Sequence, residues 1–263
     1  MDSLCYFISL ARMRKQNQCQ KESPCMIKKY TIFFLLIFST QLAFAASGGQ
    51  LKPVQIDLGN KSSLQRGAQV YFNNCAGCHT LQYHRYSKFV NDLGISEDMI
   101  KSNLILTTNK GEKTKLGSTI VNAINHDSIK EVFGVVPPDL TLTARSRGPE
   151  WIYTFLTSFY EDNTRPMGVN NILYPNVNMP HVLWYKEGLK KMDQNNNLII
   201  KVKGELSQKE YEQEITDLVN FLTYVSEPAQ LERYSIGLWV MLFLVFFAFI
   251  TYLLKIEYWR DIK

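Results

Sequence analysis

Cysteine and histidine are scarce in this chain, with five and four residues among 263. Cys5, Cys19 and Cys25 lie within the first 25 positions, so the rest of the chain holds only Cys75 and Cys78. Two cysteines three positions apart exclude a disulfide framework. Net charge is nearly absent once the leading segment is set apart. Six basic and two acidic residues fall in positions 1–45, which lowers the formal charge of the remainder from +5 to +1. A near-neutral body with no basic patch among its aromatics gives no footing for nucleic acid as a partner. Internal repeats and low-complexity tracts are missing as well.

The two remaining cysteines stand in Cys75-Ala-Gly-Cys78-His79. A C-x-x-C-H string is the attachment site of a c-type haem: each cysteine adds across one vinyl group, and the adjacent histidine reaches the iron as proximal ligand. At this composition chance would supply the pattern on the order of 0.001 times. Two other chemistries use a C-x-x-C pair. A zinc site needs two further ligands at suitable spacing, and a redox dithiol needs a thioredoxin-like βαβ context. The sequence offers neither.

Long apolar runs are confined to the two ends. Met26-Ile-Lys-Lys, the apolar stretch Tyr30 to Phe38, and Ala43-Phe44-Ala45 together have the basic start, short core and A-x-A site of a secretory signal peptide. Residues 1–45 are therefore expected to be a presequence, with translation beginning at Met26. Tyr234 to Leu254 is a run of 21 uncharged residues. As a helix it spans about 31 Å, which matches the hydrocarbon core of a bilayer. The expected organisation is an exported domain over 46–232, a transmembrane anchor over 233–255 and a tail over 256–263. Lys255, Arg260 and Lys263 favour a cytoplasmic tail. That orientation puts the domain on the periplasmic side of a bacterial inner membrane, with a single pass.

Within the domain, Ser63 to Phe72 has helical apolar spacing, is capped by Ser62 or Ser63, and delivers the chain to Cys75. Pro149 and Glu150 open a second helix through Leu156, with a strand as the alternative. Ser207 and Glu210 form a capping box, followed by Tyr211, Ile215, Leu218, Val219, Leu222 and Val225 on one helical face until Pro228. His181 to Tyr185 and Leu198 to Lys203 flank an Asn-rich turn at 195–197 as a small β-hairpin. Long loops fill the rest. The predicted fold is mainly α: a c-type cytochrome domain with long loops and a small β-hairpin, plus one C-terminal transmembrane helix.

A low-spin electron carrier needs a sixth iron ligand, and a thioether raises the potential relative to a second histidine. Met241 lies in the anchor, and Met99 and Met192 sit among charged residues. Met167 and Met179 both adjoin proline, which fixes the local backbone, and Met179 is slightly preferred. His84 is expected at the surface or haem edge and His126 in a turn. His181 is a weaker rival to Met179, because side chains two apart in an extended segment point the same way. Arg145 and Arg147 are available as donors to anionic haem propionates.

Several separated strings resemble the cytochrome c1 family, the haem-bearing, membrane-anchored subunits of ubiquinol–cytochrome c reductase (bc1) complexes. They are Arg66-Gly-Ala-Gln-Val-Tyr-Phe72 with Cys75 to Tyr83, Val136-Pro-Pro-Asp-Leu140, Ala144-Arg-Ser-Arg-Gly148, Tyr174-Pro175 with Met179-Pro180, and Glu227-Pro228 before the anchor. The resemblance covers nearly the whole chain after the presequence. It implies one covalent haem c, with thioethers at Cys75 and Cys78, iron ligands at His79 and Met179, a propionate contact from Arg147 or Arg145, and Pro137 and Pro138 lining the crevice. The segment between Arg147 and Tyr174 lacks the longer insertions of some relatives. The implied function is one-electron transfer from a Rieske iron–sulfur protein to a cytochrome c, beside cytochrome b, by a subunit that is not catalytic alone. A tethered cytochrome of another chain is the alternative, followed by a haem-based sensor or enzyme.

Overall fold

The computed structural model describes residues 51–260 apart from 110, 123, 125, 195 and 196, all within one compact unit, Gln50–Lys263. The expected presequence lies outside the described residues, as do Asn195 and Asn196 of the expected turn. About half of the described residues are helical, and eight short strands form four two-stranded antiparallel sheets among them.

Helix α1, Lys61–Asn74, starts earlier than its apolar spacing predicts because Asn60 is the cap. The Asn60 side chain accepts from the Ser63 amide at 3.1 Å. The Ser63 hydroxyl is engaged elsewhere: it donates to Asp217 at 2.6 Å and accepts from Asn220 at 2.9 Å. Those two partners lie on α8, Gln208–Ser226, the helix with the expected capping box. Its apolar stripe is buried against α1, where Leu64, Ala68, Tyr71 and Phe72 supply the facing surface. Full burial of a side chain the size of Leu64 or Phe72 contributes about 1.5–3 kcal/mol.

The two helices approach closely at Gly67. A Cβ there would stand 2.0 Å from the Asp217 carbonyl oxygen and 2.6 Å from the Phe221 Cβ, so any side chain would force them apart. Arg66, on the rim of this contact, donates to Asp217 through Nε at 2.6 Å and through a terminal nitrogen at 3.0 Å. That bidentate pair, with the Ser63 bond, gives the buried carboxylate partners for both oxygens.

After α1 the chain forms β1, Leu81–Arg85, then α2, Lys88–Leu93, and a helical turn α3, Glu97–Met99, that continues as a π-helical turn over Ile100–Leu104. Next come β2 (Thr108–Asn109), β3 (Glu112–Lys113), β4 (Thr119–Ile120) and α4, His126–Phe133. β1 pairs with β4, and β2 with β3. Helices α5, Thr143–Arg147, and α6, Pro149–Leu156, pack on α8. Proline at the first position of α6 sets a helix there, not the alternative strand.

Strands β5, Phe159–Glu161, and β6, Val169–Asn171, follow and pair. The predicted hairpin exists, but its first strand is displaced. Trp184–Glu187 is a helical turn, α7, and the strand that pairs with β8, Leu198–Lys203, is β7, Gly188–Met192. Gly188 takes φ 96, and a Cβ on it would lie 2.3 Å from the Val202 carbonyl oxygen. Glycine at this position therefore lets β7 begin opposite Lys203, at the open end of the hairpin.

Helix α9, Gln230–Trp259, is exposed along its length and is the one helix among the described residues long and apolar enough to cross a membrane. Its 30 residues span about 45 Å, more than the hydrocarbon core requires. Tyr234 and Trp239 near one end, and Tyr252, Tyr258 and Trp259 near the other, fit the aromatic belts of a membrane anchor.

Candidate functional site

The C-terminal end of α1 is turned directly into the C-x-x-C-H string. Amides of Cys75 and Ala76 donate to the Tyr71 carbonyl, and amides of Cys78 and His79 donate to the Cys75 carbonyl at 3.0 and 2.8 Å. This extra turn brings Cys75, Cys78 and His79 together. Both cysteines are free thiols. Burial, with the neighbouring Cys78, pushes the Cys75 thiol up to about 12. A redox dithiol needs the opposite shift, toward thiolate at neutral pH. Among the described residues no three His, Cys, Asp or Glu side chains converge as a metal cluster, so the pair also lacks partners for a four-coordinate zinc site.

His79 is oriented by a segment far along the chain. Its Nδ1 lies 2.8 Å from the Pro138 carbonyl oxygen. A carbonyl can only accept, so Nδ1 carries the hydrogen and Nε2 keeps the lone pair that a metal requires. Burial lowers the His79 pKa, against the Pro138 bond and the Asp139 charge, which favours the neutral ring. The Tyr71 hydroxyl holds the His79 carbonyl at 2.8 Å, and Asn122 Nδ2 holds that of Cys78 at 2.8 Å.

Asp139 locks the Pro137-Pro138 segment alongside this turn. One carboxylate oxygen accepts from the Thr80 hydroxyl at 2.6 Å and the Gln82 amide at 2.8 Å; the other accepts from the Thr141 amide at 2.9 Å. Burial by itself would raise the Asp139 pKa, but these bonds outweigh it and hold the carboxyl below its ordinary range. The Leu140 amide completes the clamp by donating to the Thr80 carbonyl at 2.9 Å. Pro137 is half-buried and Pro138 exposed.

Met179 lies between β6 and α7, half-buried, on a loop fastened mainly by side chains. Asn171 Oδ1 accepts from the amides of Leu173 and Tyr174, and Asn170 Oδ1 accepts from the amide of Asn176, which has φ 63. Arg165 donates to the Asn176 carbonyl at 2.9 Å and to the Asn178 side chain at 3.4 Å. A Cβ at Gly134 would lie 3.7 Å from the Asn178 side-chain nitrogen. Residue 178 thus abuts the start of the segment whose Pro138 carbonyl holds His79. Met167 is half-buried in the β5–β6 connection.

The remaining candidates are placed differently from expectation. His84 is buried, not at the surface: its ring packs 5.0 Å from Phe89 and 5.5 Å from Tyr224, and burial lowers its pKa to about 4. His126 opens α4 instead of sitting in a turn. His181 is buried and stacked on Phe159, and its Nε2 donates to Glu187 at 2.9 Å, so that nitrogen is already engaged. Glu187 also accepts from the buried Lys190 ammonium. Arg145 and Arg147 are exposed on the last turn of α5, with Arg147 5.2 Å from the Trp151 ring.

In the sequence Tyr71 is marked only as part of the apolar face of α1, and Asn122, Arg165, Asn170 and Asn171 are not marked at all. Tyr71 carried one signal, its place one helical turn before Cys75; Asp139 had another, the Pro-Pro-Asp-Leu string. The others had none, because their partners are remote or are main-chain groups.

Residues 56–262 match the model of the Cytochrome C1 family. The chain is 45% identical to the cytochrome c1 of Allochromatium vinosum over 240 residues, 87% of this chain and 96% of that protein. It is 40% identical to a Nitrosomonas europaea protein named ammonia monooxygenase gamma subunit, over 88% of this chain and 98% of the other. A cytochrome c1 of Rhodospirillum rubrum is 30% identical, over 78% and 83% of the two chains.

Proposed function

This chain belongs to the cytochrome c1 family, and from that membership we propose that it is the membrane-anchored haem c subunit of a bc1 complex, carrying single electrons from a Rieske iron–sulfur protein to a cytochrome c. The observation that carries the reading is the His79 ring, whose Nδ1 is held by the Pro138 carbonyl at 2.8 Å while Nε2 stays free beside two free thiols. That donor set fits one haem c. When bound, the haem supplies a one-electron ferric–ferrous couple.

The residues then have separate tasks. Cys75 and Cys78 would supply the thioether sulfurs, and His79 and Met179 would hold the iron through a nitrogen and a sulfur. A thioether ligand favours the ferrous state, which suits a carrier that receives electrons from a high-potential donor. Arg147 or Arg145 neutralises a propionate, and Pro137 and Pro138 line the crevice and exclude water. No substrate bond is made or broken; the protein's contribution would be to hold His79 and Met179 in place before and after each electron transfer.

Residues 46–232 form the exported domain, 233–255 the anchor and 256–263 the cytoplasmic tail, behind a presequence over 1–45. The haem domain then faces the periplasm across a bacterial inner membrane, beside cytochrome b.

Purification of the full chain from its native membrane tests the assembly. Recovery with a dihaem cytochrome b and a Rieske protein is expected. Recovery with a monooxygenase, the assembly named for the Nitrosomonas relative, would overturn it. For the ligand, Met179→Leu is expected to abolish the sulfur–iron charge-transfer band and Met167→Leu to leave it intact. The reverse result assigns the sulfur to Met167.

A further inference from the structure

Met179 is held from both sides along the chain. Val177, two residues before it, and His181, two residues after it, are buried, whereas Met179 itself is half-buried. Arg165 and the Asn170 and Asn171 side chains fasten the part of the loop that precedes the methionine. The part that follows is fastened by a different device. Only Pro180, with its locked φ, separates Met179 from His181, so the placement of His181 bears directly on the methionine.

The His181 ring is held on one face and at one edge. The face lies against Phe159 of β5, with centroids 4.9 Å apart and planes 2° from parallel, and Phe159 is seated edge to face on Phe155 of α6 at 5.2 Å. At the edge, Nε2 donates to one oxygen of Glu187 at 2.9 Å, and the other oxygen accepts from the Lys190 ammonium. Lys190 also donates to the Thr157 carbonyl at 3.1 Å, at the end of α6. The His181 carbonyl accepts from the Trp184 amide at the start of α7. Imidazole, carboxylate and ammonium are 6%, 0% and 7% exposed. A buried ion pair is a weak source of net stability, because desolvation offsets much of its attraction; its best-attested use is to specify one arrangement among several. We propose that His181, through its bond to Glu187, is a positioning residue that fixes Met179 as the distal ligand. The proposal rests on the haem reading above and makes His181 a support of the methionine, not its rival.

Optical spectra, redox titration and carbon monoxide binding of the full-length protein in detergent test the role, with variants compared at equal covalent haem. His181→Phe keeps a ring for Phe159 and leaves the Glu187–Lys190 pair in place, but removes the bond to Glu187. Glu214→Gln is the control, because it breaks a partly exposed ion pair with Lys186 on the same helical turn as Glu187. His181→Phe is expected to weaken the sulfur–iron band, lower the midpoint potential and let the ferrous protein take up carbon monoxide. A displaced thioether stabilises the ferrous state less and leaves a coordination position open. His181→Ala, which lacks the ring as well, should lose more of the band. Glu214→Gln should match the parent in all three measurements. If one His181 variant does not accumulate, the other is read alone against the control.

A positioning role separates from a merely structural one at the band. His181 variants with a lower urea-unfolding midpoint but the band and potential of the parent overturn this inference alone. A control that loses as much of the band as His181→Phe also overturns it, since the effect would then belong to α7 as a whole. A parent without covalent haem, or one whose band survives Met179→Leu, overturns the ligand reading above and this inference with it.

Discussion

The two sides of the candidate site are built in different ways. On the proximal side, Cys75, Cys78 and His79 ride on one continued helical turn, and the chain segment opposite is fastened by the Asp139 carboxylate and the Pro138 carbonyl. Below them lies an aromatic layer in which Tyr71, Phe72, Phe89 and Phe221 meet within 5.2 to 6.1 Å. On the distal side, Met179 hangs on a loop held by neutral amide side chains and one guanidinium. The proximal side combines main-chain geometry with charge-assisted bonds; the distal side depends on a few side chains.

Acid should strain the proximal side most. The unfolded chain protonates a histidine near pH 6.5, whereas burial keeps His84 neutral down to about 4. Stability from this group is therefore complete above pH 6.5 and is lost as pH falls from 6.5 toward 4, by about 3 kcal/mol in all. Denaturation midpoints measured across that window should show the slope, and His84→Phe should flatten it. An unchanged slope in the variant would move the acid sensitivity away from the aromatic layer.

Asp139→Ala ranks next. It leaves the Thr80, Gln82 and Thr141 donors without their charged acceptor, and a loss of about 2–3 kcal/mol is expected in urea unfolding. The variant should retain its distal sulfur ligand, because that loop is anchored separately.

Asn170→Ala should have the smallest effect on stability, about 1–2 kcal/mol, since the bonds to the Asn171 and Asn176 amides are neutral and the Asp162 carboxylate, which also accepts from Asn170, keeps its bonds from Thr164. Its signature should be optical: a weakened sulfur–iron band at nearly unchanged global stability. If Asp139→Ala weakened the band as much as Asn170→Ala, the two sides would have to be treated as one cooperative unit.

Much of the fold was legible in the sequence where burial repeats locally. Tyr211, Ile215, Leu218, Val219, Leu222 and Val225 are all buried as their helical spacing requires, and the apolar run from Tyr234 lies within one long exposed helix. Two-residue strands such as β2 and β3 have no periodicity to read. The second strand of the hairpin was legible but not its first, because the close approach of Gly188 to Val202 is a contact between segments. His84 looked polar in a polar stretch; Phe89 and Tyr224 bury it.

The spacing of Cys75, Cys78 and His79 by itself pointed to the proposed haem attachment, because two thioether sulfurs and an adjacent histidine need only neighbours along the chain. The uncharged run likewise determined the membrane-length helix, since length and composition are local properties. Tertiary structure alone decided which histidine nitrogen stays free, which histidines are buried, and which polar groups secure the Met179 loop. Those outcomes depend on groups that arrive from distant segments, as Pro138 does for His79 and Tyr224 for His84. A short string of residues carries no record of the groups that folding brings against it.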